Sequence, residues 1–326
     1  MMTLVHCAPP QRPPPPALRG LSIFERGWLS SNNVLVHGEG AGAALIDASH
    51  CLHAEQTVAL VRHALAAAAP PGTVAEPLVC VVNTHLHSDH CGGNATLQAA
   101  FGMPVFIPPG SWDAVMAWNE EALSFRATGQ RCERFEAQGT VAVGEELALG
   151  GRRWQVLGAP GHDPDSVMLF DAAHGVLISA DALWENGFGV VFPELDGIDA
   201  FDDVERVLEL IEGLPVQWVV PGHGAPFIDV KGALERARQR LAGFRQDRGR
   251  HARYAAKVLL KYHLMEERRQ TVAALHLWAG AVPLLRRLWI GQGCPARSLH
   301  AWCDVLVAEM TASGALSVSD GVVADV

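Results

Sequence analysis

Within the six residues His85-Leu86-His87-Ser88-Asp89-His90, four carry nitrogen or oxygen donors suited to a metal, and the run follows the apolar stretch 78–82 after only two residues. Chance produces a His-x-His-x-Asp-His pattern in roughly one of several hundred chains of this composition. A lone histidine is ordinarily a hydrogen-bonded surface or core residue. Four such groups at the end of one strand resist that account, because burying them unpaired costs several kcal/mol. The pattern therefore constrains the fold: 78–82 is a strand whose carboxyl end opens on a site.

Three further donors share the design. His162 ends Gly158-Ala159-Pro160-Gly161-His162, just past an apolar strand at 154–157. Asp181 follows a strand at 176–178, and His223, in Pro221-Gly222-His223-Gly224, follows a strand at 216–220. Strand carboxyl ends are where α/β proteins usually build sites, and the neighbouring glycines let the backbone turn sharply beside a ligand. Five His and two Asp are too many for one four-coordinate zinc. Nitrogen and oxygen donors without thiolate suit Zn, Mn or Fe. Two divalent metal ions fit if one carboxylate bridges them, roughly 3.5–4 Å apart with a water or hydroxide between.

Short apolar runs alternate with turn residues up to about residue 230. The runs 34–36 and 44–46 flank a Gly-rich turn and read as a hairpin; 167–170 is a further strand. Helical patterns cover 54–69, 95–101 and 201–214, the last with Val204, Val207, Leu208 and Ile211 at helical spacing. Mixed this way, they predict a layered α/β domain. From 231 to 270 the chain holds 12 Lys+Arg against 4 Asp+Glu, a local balance of +8, so the rest sums to −18. This shift sets three expected segments: a flexible Pro-rich arm over 1–18, a catalytic domain over 19–230, and a mostly helical domain over 231–326. Helices are expected at 231–244, 252–267, 270–278 and 297–313, followed by strands 315–318 and 322–326 joined across Asp320-Gly321. That is a winged-helix-like outline, open to packing, homo-oligomer formation or nucleic-acid contact.

Composition narrows the class. With 49% hydrophobic and 18% charged residues the chain buries a full core. A net charge of −10 speaks against a general nucleic-acid binder. Seven cysteines without a Cys-x-x-Cys pair suit a reducing compartment. The N-terminus carries Pro13-Pro14-Pro15-Pro16 rather than a basic start and apolar core, and no run is long enough to span a bilayer. A soluble cytoplasmic protein with a small-molecule partner and no membrane is expected.

Over about residues 20–228, this set of motifs and its order resemble the metallo-β-lactamase fold superfamily, which implies a four-layer αβ/βα sandwich. By that resemblance His85, His87 and His162 hold one metal, Asp89, His90 and His223 the other, and Asp181 bridges. Asp47, after the strand 44–46, matches the early Asp that supports a ligand without ligating. Asp181 is similar to the glyoxalase II, lactonase and phosphodiesterase branches, and 83–93 with 221–224 is particularly similar to glyoxalase II-like hydrolases. After His162 the chain departs, with Asp163-Pro164-Asp165-Ser166 where glyoxalase II usually has Thr-Pro-Gly-His. The resemblance implies a dinuclear hydrolase in which a metal-bridging hydroxide attacks a thioester, lactone or other ester carbonyl, with Asp89 as ligand and proton acceptor. Two alternatives share the ligands: a metal-dependent phosphodiesterase or ribonuclease, which resembles the winged-helix subgroup, and a persulfide dioxygenase with one iron. The acidic surroundings of the ligands, Asp163, Asp165, Glu185, Glu194 and Asp196, oppose the nuclease reading.

Around the ligands, 184–193 with Trp184 and Phe188, and 112–135 with Trp118, Phe125 and Arg126, are the expected pocket walls. Cys91 reads as a small buried side chain. Thr84 and Ser88 read as loop-fixing hydroxyls. Asn94 reads as a helix start, and His37, His50, His53, His63 and His174 as ordinary polar residues.

Overall fold

The computed structural model describes residues 15–38 and 40–326. Of the expected arm, residues 1–14 lie outside the described residues. Pro16–Leu18 forms a short 3-10 turn, and Leu18 is buried.

Two sheets stack face to face. The first has strands in the order β1 (Leu21–Phe24), β2 (Asn33–Val36), β3 (Ala43–Ile46), β4 (Leu78–Val82), β5 (Val105–Ile107) and β6 (Gly139–Thr140). Its first three strands pair antiparallel and the rest parallel. The second runs β11 (Trp218–Pro221), β10 (Val176–Ala180), β9 (Val167–Asp171), β8 (Arg152–Gly158) and β7 (Glu146–Leu149). Only β10 and β11 pair parallel there.

Period-two alternation decides which side chain enters which layer. Val34, Val36, Ala44, Ile46 and Val82 meet Val156, Val167, Leu169, Ile178 and Val220 between the sheets. Leu35, Leu45 and Val81 point the other way, onto α1 (Ala54–Ala68) and α3 (Asn94–Phe101). On the far side, Met168, Phe170, Leu177 and Val219 pack under α7 (Phe201–Glu212) and α8 (Val230–Gln246). The result is the four-layer αβ/βα sandwich. Short helical turns complete this part: α2 (Ser88–Cys91), α4 (Trp112–Ala117), α5 (Phe125–Thr128) and α6 (Phe192–Leu195).

The remainder is mostly helical: α9 (Arg248–Glu267), α10 (Val272–Ala281), α11 (Pro283–Gly291) and α12 (Leu299–Ala312). A three-stranded antiparallel sheet accompanies them, with β12 (Arg269–Thr271), β14 (Val322–Asp325) and β13 (Leu316–Ser319) in that order. Asp229, Asp247, Thr271 and Ser298 each accept a backbone N–H at a helix start, which satisfies donors the first turn leaves unpaired. The α11 helix and β12 have no counterpart in the sequence reading. The basic window is largely neutralised by ion pairs. Arg238 meets Glu212, Arg245 meets Asp202 and Glu205, Arg248 meets Glu194, Arg253 and Lys257 meet Glu309, and Lys261 meets Asp325.

His50 is a correction to the sequence reading. It is fully buried, and its Nε2 lies 3.0 Å from Glu266 Oε1 of α9. Burial alone pushes its pKa down, but contacts with Cys51 and the Glu266 carboxylate outweigh this and raise it to about 9. A raised folded-state pKa contributes stability that is complete below about pH 6.5 and lost as pH rises through about 9, on the order of 3 kcal/mol. In urea unfolding, His50→Asn should therefore destabilise the protein more at pH 6 than at pH 9.5.

Candidate metal centre

Four loops bring the donors together, each from the carboxyl end of a strand: 83–91 after β4, 159–162 after β8, Asp181 after β10 and Gly222-His223 after β11. Backbone hydrogen bonds hold these loops in place. Val167 N–H donates to Thr84 O at 2.8 Å, Asn32 N–H to Gly222 O at 2.7 Å, Gly189 N–H to Asp181 O at 2.9 Å and Gly222 N–H to Ala180 O at 2.7 Å. Close approach makes glycine necessary at two points. A Cβ on Gly222 would sit 2.1 Å from Asp181 Oδ1, and one on Gly189 would sit 2.4 Å from His162 Nδ1.

The seven donors form two buried groups, His85, His87 and His162, and Asp89, His90, Asp181 and His223, with the ligand atoms of each within 4.8 Å of one another. In the first, His87 Nδ1 lies 3.1 Å from His85 Nε2 and 2.7 Å from His162 Nε2. Metal–nitrogen bonds of about 2.0–2.1 Å separate donors of one tetrahedral ion by roughly 3.3 Å, so this convergence fits a single cation. In the second, His223 Nε2 is 3.0 Å from Asp89 Oδ2, and the buried His90 Nε2 has no hydrogen-bond partner although it faces Asp181 Oδ1 at 3.4 Å. A buried ring nitrogen left this way is costly unless something else engages it. Asp181 lies between the groups, with Oδ2 3.3 Å from His162 Nε2 and Oδ1 toward His90 and His223.

Other contacts fix the ring orientations. Asp47 Oδ2 accepts from His90 Nδ1 at 2.8 Å, and Thr84 donates to the same carboxylate through its N–H and hydroxyl. His162 Nδ1 donates to Val190 O at 2.6 Å. Burial pushes the pKa of His85, His87 and His162 down, that of His87 to about 3, so these rings are neutral and keep lone pairs for a metal. Burial opposes ionisation of Asp89, His90 and Asp181 too, but attraction between opposite charges wins there. Asp47, Asp181 and Asp89 hold His90 well above its usual range. His90 and His223 hold Asp89 at about 2, and His223 and His90 keep Asp181 well below the carboxylate range.

Aromatic rings frame the donors. Trp184 donates through Nε1 to Asp181 Oδ1 at 3.2 Å, Trp28 stacks on His223 with ring centroids 5.1 Å apart, and Phe192 meets His87 edge-on. Trp184 thus stands on the cavity over the site. Gly189, Val190 and Phe192 of 184–193 and Gln130 of 112–135 line it too, whereas Phe188, Trp118, Phe125 and Arg126 do not. Phe188 is buried with Phe244 behind the site, and Phe125 lies in the core under the first sheet with Trp118 packed against it. Arg126 is exposed and pairs with Glu120. The segment carrying these last three folds into short helical turns whose apolar groups the first core absorbs. In their place stand Trp28, which the sequence reading missed, and residues of α9. Tyr254, Val258, Tyr262 and Met265 recur at helical spacing along α9, a stripe that was legible but had no evident partner. Ser88 reaches that helix, its Oγ 2.7 Å from Tyr262 Oη. Cys91 is a buried thiol whose pKa burial raises, and Asn94 begins α3 while donating to Asn83.

A sequence model of the metallo-beta-lactamase superfamily matches residues 26–223. Among curated relatives, acyl-coenzyme A thioesterase MBLAC2 of Gallus gallus is 27% identical over 167 residues, 48% of this chain and 60% of the relative. Hydroxyacylglutathione hydrolase of Synechococcus sp. (strain JA-3-3Ab) is 33% identical over 131 residues, 37% of this chain and 45% of the relative. The chain thus spans about half the length of the curated relatives it matches. A metallo-beta-lactamase family protein from Thermus thermophilus superposes with a TM-score of 0.54 at 20% identity, over 94% of this chain and 99% of that one. The protein TTHA1623, solved in a di-iron-bound form, gives 0.51 at 27% identity over 66% of this chain and 98% of that one.

Proposed function

The chain belongs to the metallo-beta-lactamase superfamily, and from that membership we propose that it hydrolyses a thioester, lactone or other ester at a dinuclear metal centre. The observation that carries this reading is Asp181, whose two carboxylate oxygens face the two donor groups. In the proposed assignment His85, His87 and His162 hold one divalent cation, Asp89, His90 and His223 the other, and Asp181 both. Zinc is the first expectation from the donor set, with iron or manganese as alternatives; iron is in keeping with the di-iron form of one relative. When bound, the ions supply an activated water as nucleophile and a Lewis acid for the carbonyl oxygen.

The chain's own groups position and move protons. Asp89 Oδ2, 3.0 Å from His223 Nε2, is ionised throughout the neutral range and is placed to orient the attacking water or take its proton. Asp47 fixes His90 in the tautomer that presents Nε2 to the site. Trp28, Trp184 and Phe192 exclude solvent around the donors and leave room for an apolar group beside the carbonyl. A nucleic-acid substrate is disfavoured by the ion pairs that occupy the basic window. We keep the division into 19–230 and 231–326 as the working organisation, the first part supplying every ligand and the winged-helix-like second part a wall of the site.

The test is metal analysis of protein purified without added metal, then turnover of a panel of thioesters, lactones, lactams, RNA and a persulfide under oxygen. Activity toward acyl substrates that a chelator removes and zinc restores is expected; full turnover by metal-free protein would falsify the proposal. Asp47→Ala should weaken the second cation by about 10–100-fold while sparing the first, as read by competition with a chromogenic chelator.

A further inference from the structure

Above the donors lies a cavity of about 420 Å³, within the size range of small-molecule sites. Its walls come from both parts of the chain: Trp28, Trp184 and Phe192 beside the donors, and Val258, Met265 and Met310 from α9 and α12. Two lysines, Lys257 and Lys261, also reach it, but neither presents a free charge. Lys257 Nζ is 2.8 Å from Glu309 Oε2, and Lys261 pairs with Asp325 and donates to Ala315 O at 2.6 Å. Other polar groups of the wall are also engaged: Tyr262 and Gln130 with Ser88, and Ser313 with Met310 O. Away from the donors, a cavity with its lysines paired and a mostly apolar wall offers little to a phosphate or a sugar. What it can desolvate favourably is hydrocarbon, and the two methionines let its wall adapt to a flexible chain.

We propose that this cavity binds the acyl side of the substrate as an uncharged hydrocarbon chain of medium length or longer, and that α9 and α12 set which chain lengths are accepted. The inference rests on the proposed carbonyl hydrolase. It assigns the C-terminal helices a role in specificity, since without them one side of the cavity would be open to water.

The test uses the full metal-loaded protein and p-nitrophenyl esters from acetate to dodecanoate. kcat/KM should rise by about four-fold per methylene, the equivalent of ~0.8 kcal/mol for each buried CH₂, until the cavity is filled. Met310→Trp should lower kcat/KM for the long esters at least ten-fold relative to that for acetate. Equal kcat/KM across the series in an active enzyme would sink the chain-binding inference and leave the hydrolase reading standing. Should no ester be cleaved, calorimetry decides the inference separately. 2-Nonanone is expected to bind at least about 100-fold more tightly than 2-butanone, with a loss of that preference in Met310→Trp. Equal binding of the two ketones would overturn it. Circular dichroism and the metal content of Met310→Trp show whether the variant keeps its fold.

Discussion

Asp181→Asn should, on the proposed dinuclear assignment, reduce bound metal from two ions to one or none and lower kcat/KM for an acyl substrate by at least about 1,000-fold. The change keeps size and shape but removes the negative charge and one acceptor from the point where the two donor groups meet. A loss of several kcal/mol of electrostatic stabilisation in the transition state, at 1.36 kcal/mol per factor of ten, gives an effect of that size. His223 would then face one carboxylate, Asp89, in place of two, and His90 would face two, Asp47 and Asp89, in place of three. The check pairs metal analysis by mass spectrometry with ester turnover on the same preparation. A variant that keeps two ions and full activity would remove Asp181 from the centre and leave the two groups as separate sites.

The second large effect lies away from the donors. Asp171→Ala should destabilise the protein by about 3–5 kcal/mol, because it strands the buried guanidinium of Arg152. Arg152 Nη1 donates to Asp171 Oδ2 at 3.0 Å, and its Nη2 donates to Ala17 O at 2.9 Å and to Arg19 O. Asp171 also accepts from Ala173 N–H, His174 N–H and His174 Nδ1. The pair thus ties β8 and the end of β9 to the segment that leads into β1. Urea unfolding monitored by tryptophan fluorescence reads the loss. Arg152→Leu combined with Asp171→Leu should recover part of it, since apolar replacement removes the unpaired charge that makes the single change costly.

The donor residues were legible because their chemistry is local. His85, His87, Asp89 and His90 stand in one short run, and a strand followed by a glycine-bearing turn flags His162 and His223 without reference to the rest of the chain. The sandwich was legible through short apolar runs such as 34–36 and 176–178 set between turn residues, the mark of strands buried on both faces. Gly139–Thr140 left no such signature, since it holds no apolar run.

Local pattern, then, was enough to name the candidate donors, most of the strands that carry them and the helices between, because donor spacing and side-chain pattern are properties of neighbouring residues. The walls of the cavity were decided only by tertiary structure. Trp28 comes to His223 across 195 positions of sequence, and the stripe on α9 becomes a pocket surface only when that helix docks over the donors. His50 likewise acquires its charge partner from Glu266, 216 residues away. Apolar side chains at helical spacing show that some surface will be buried, but the hydrophobic effect has no direction. Which element meets them depends on how all the layers pack.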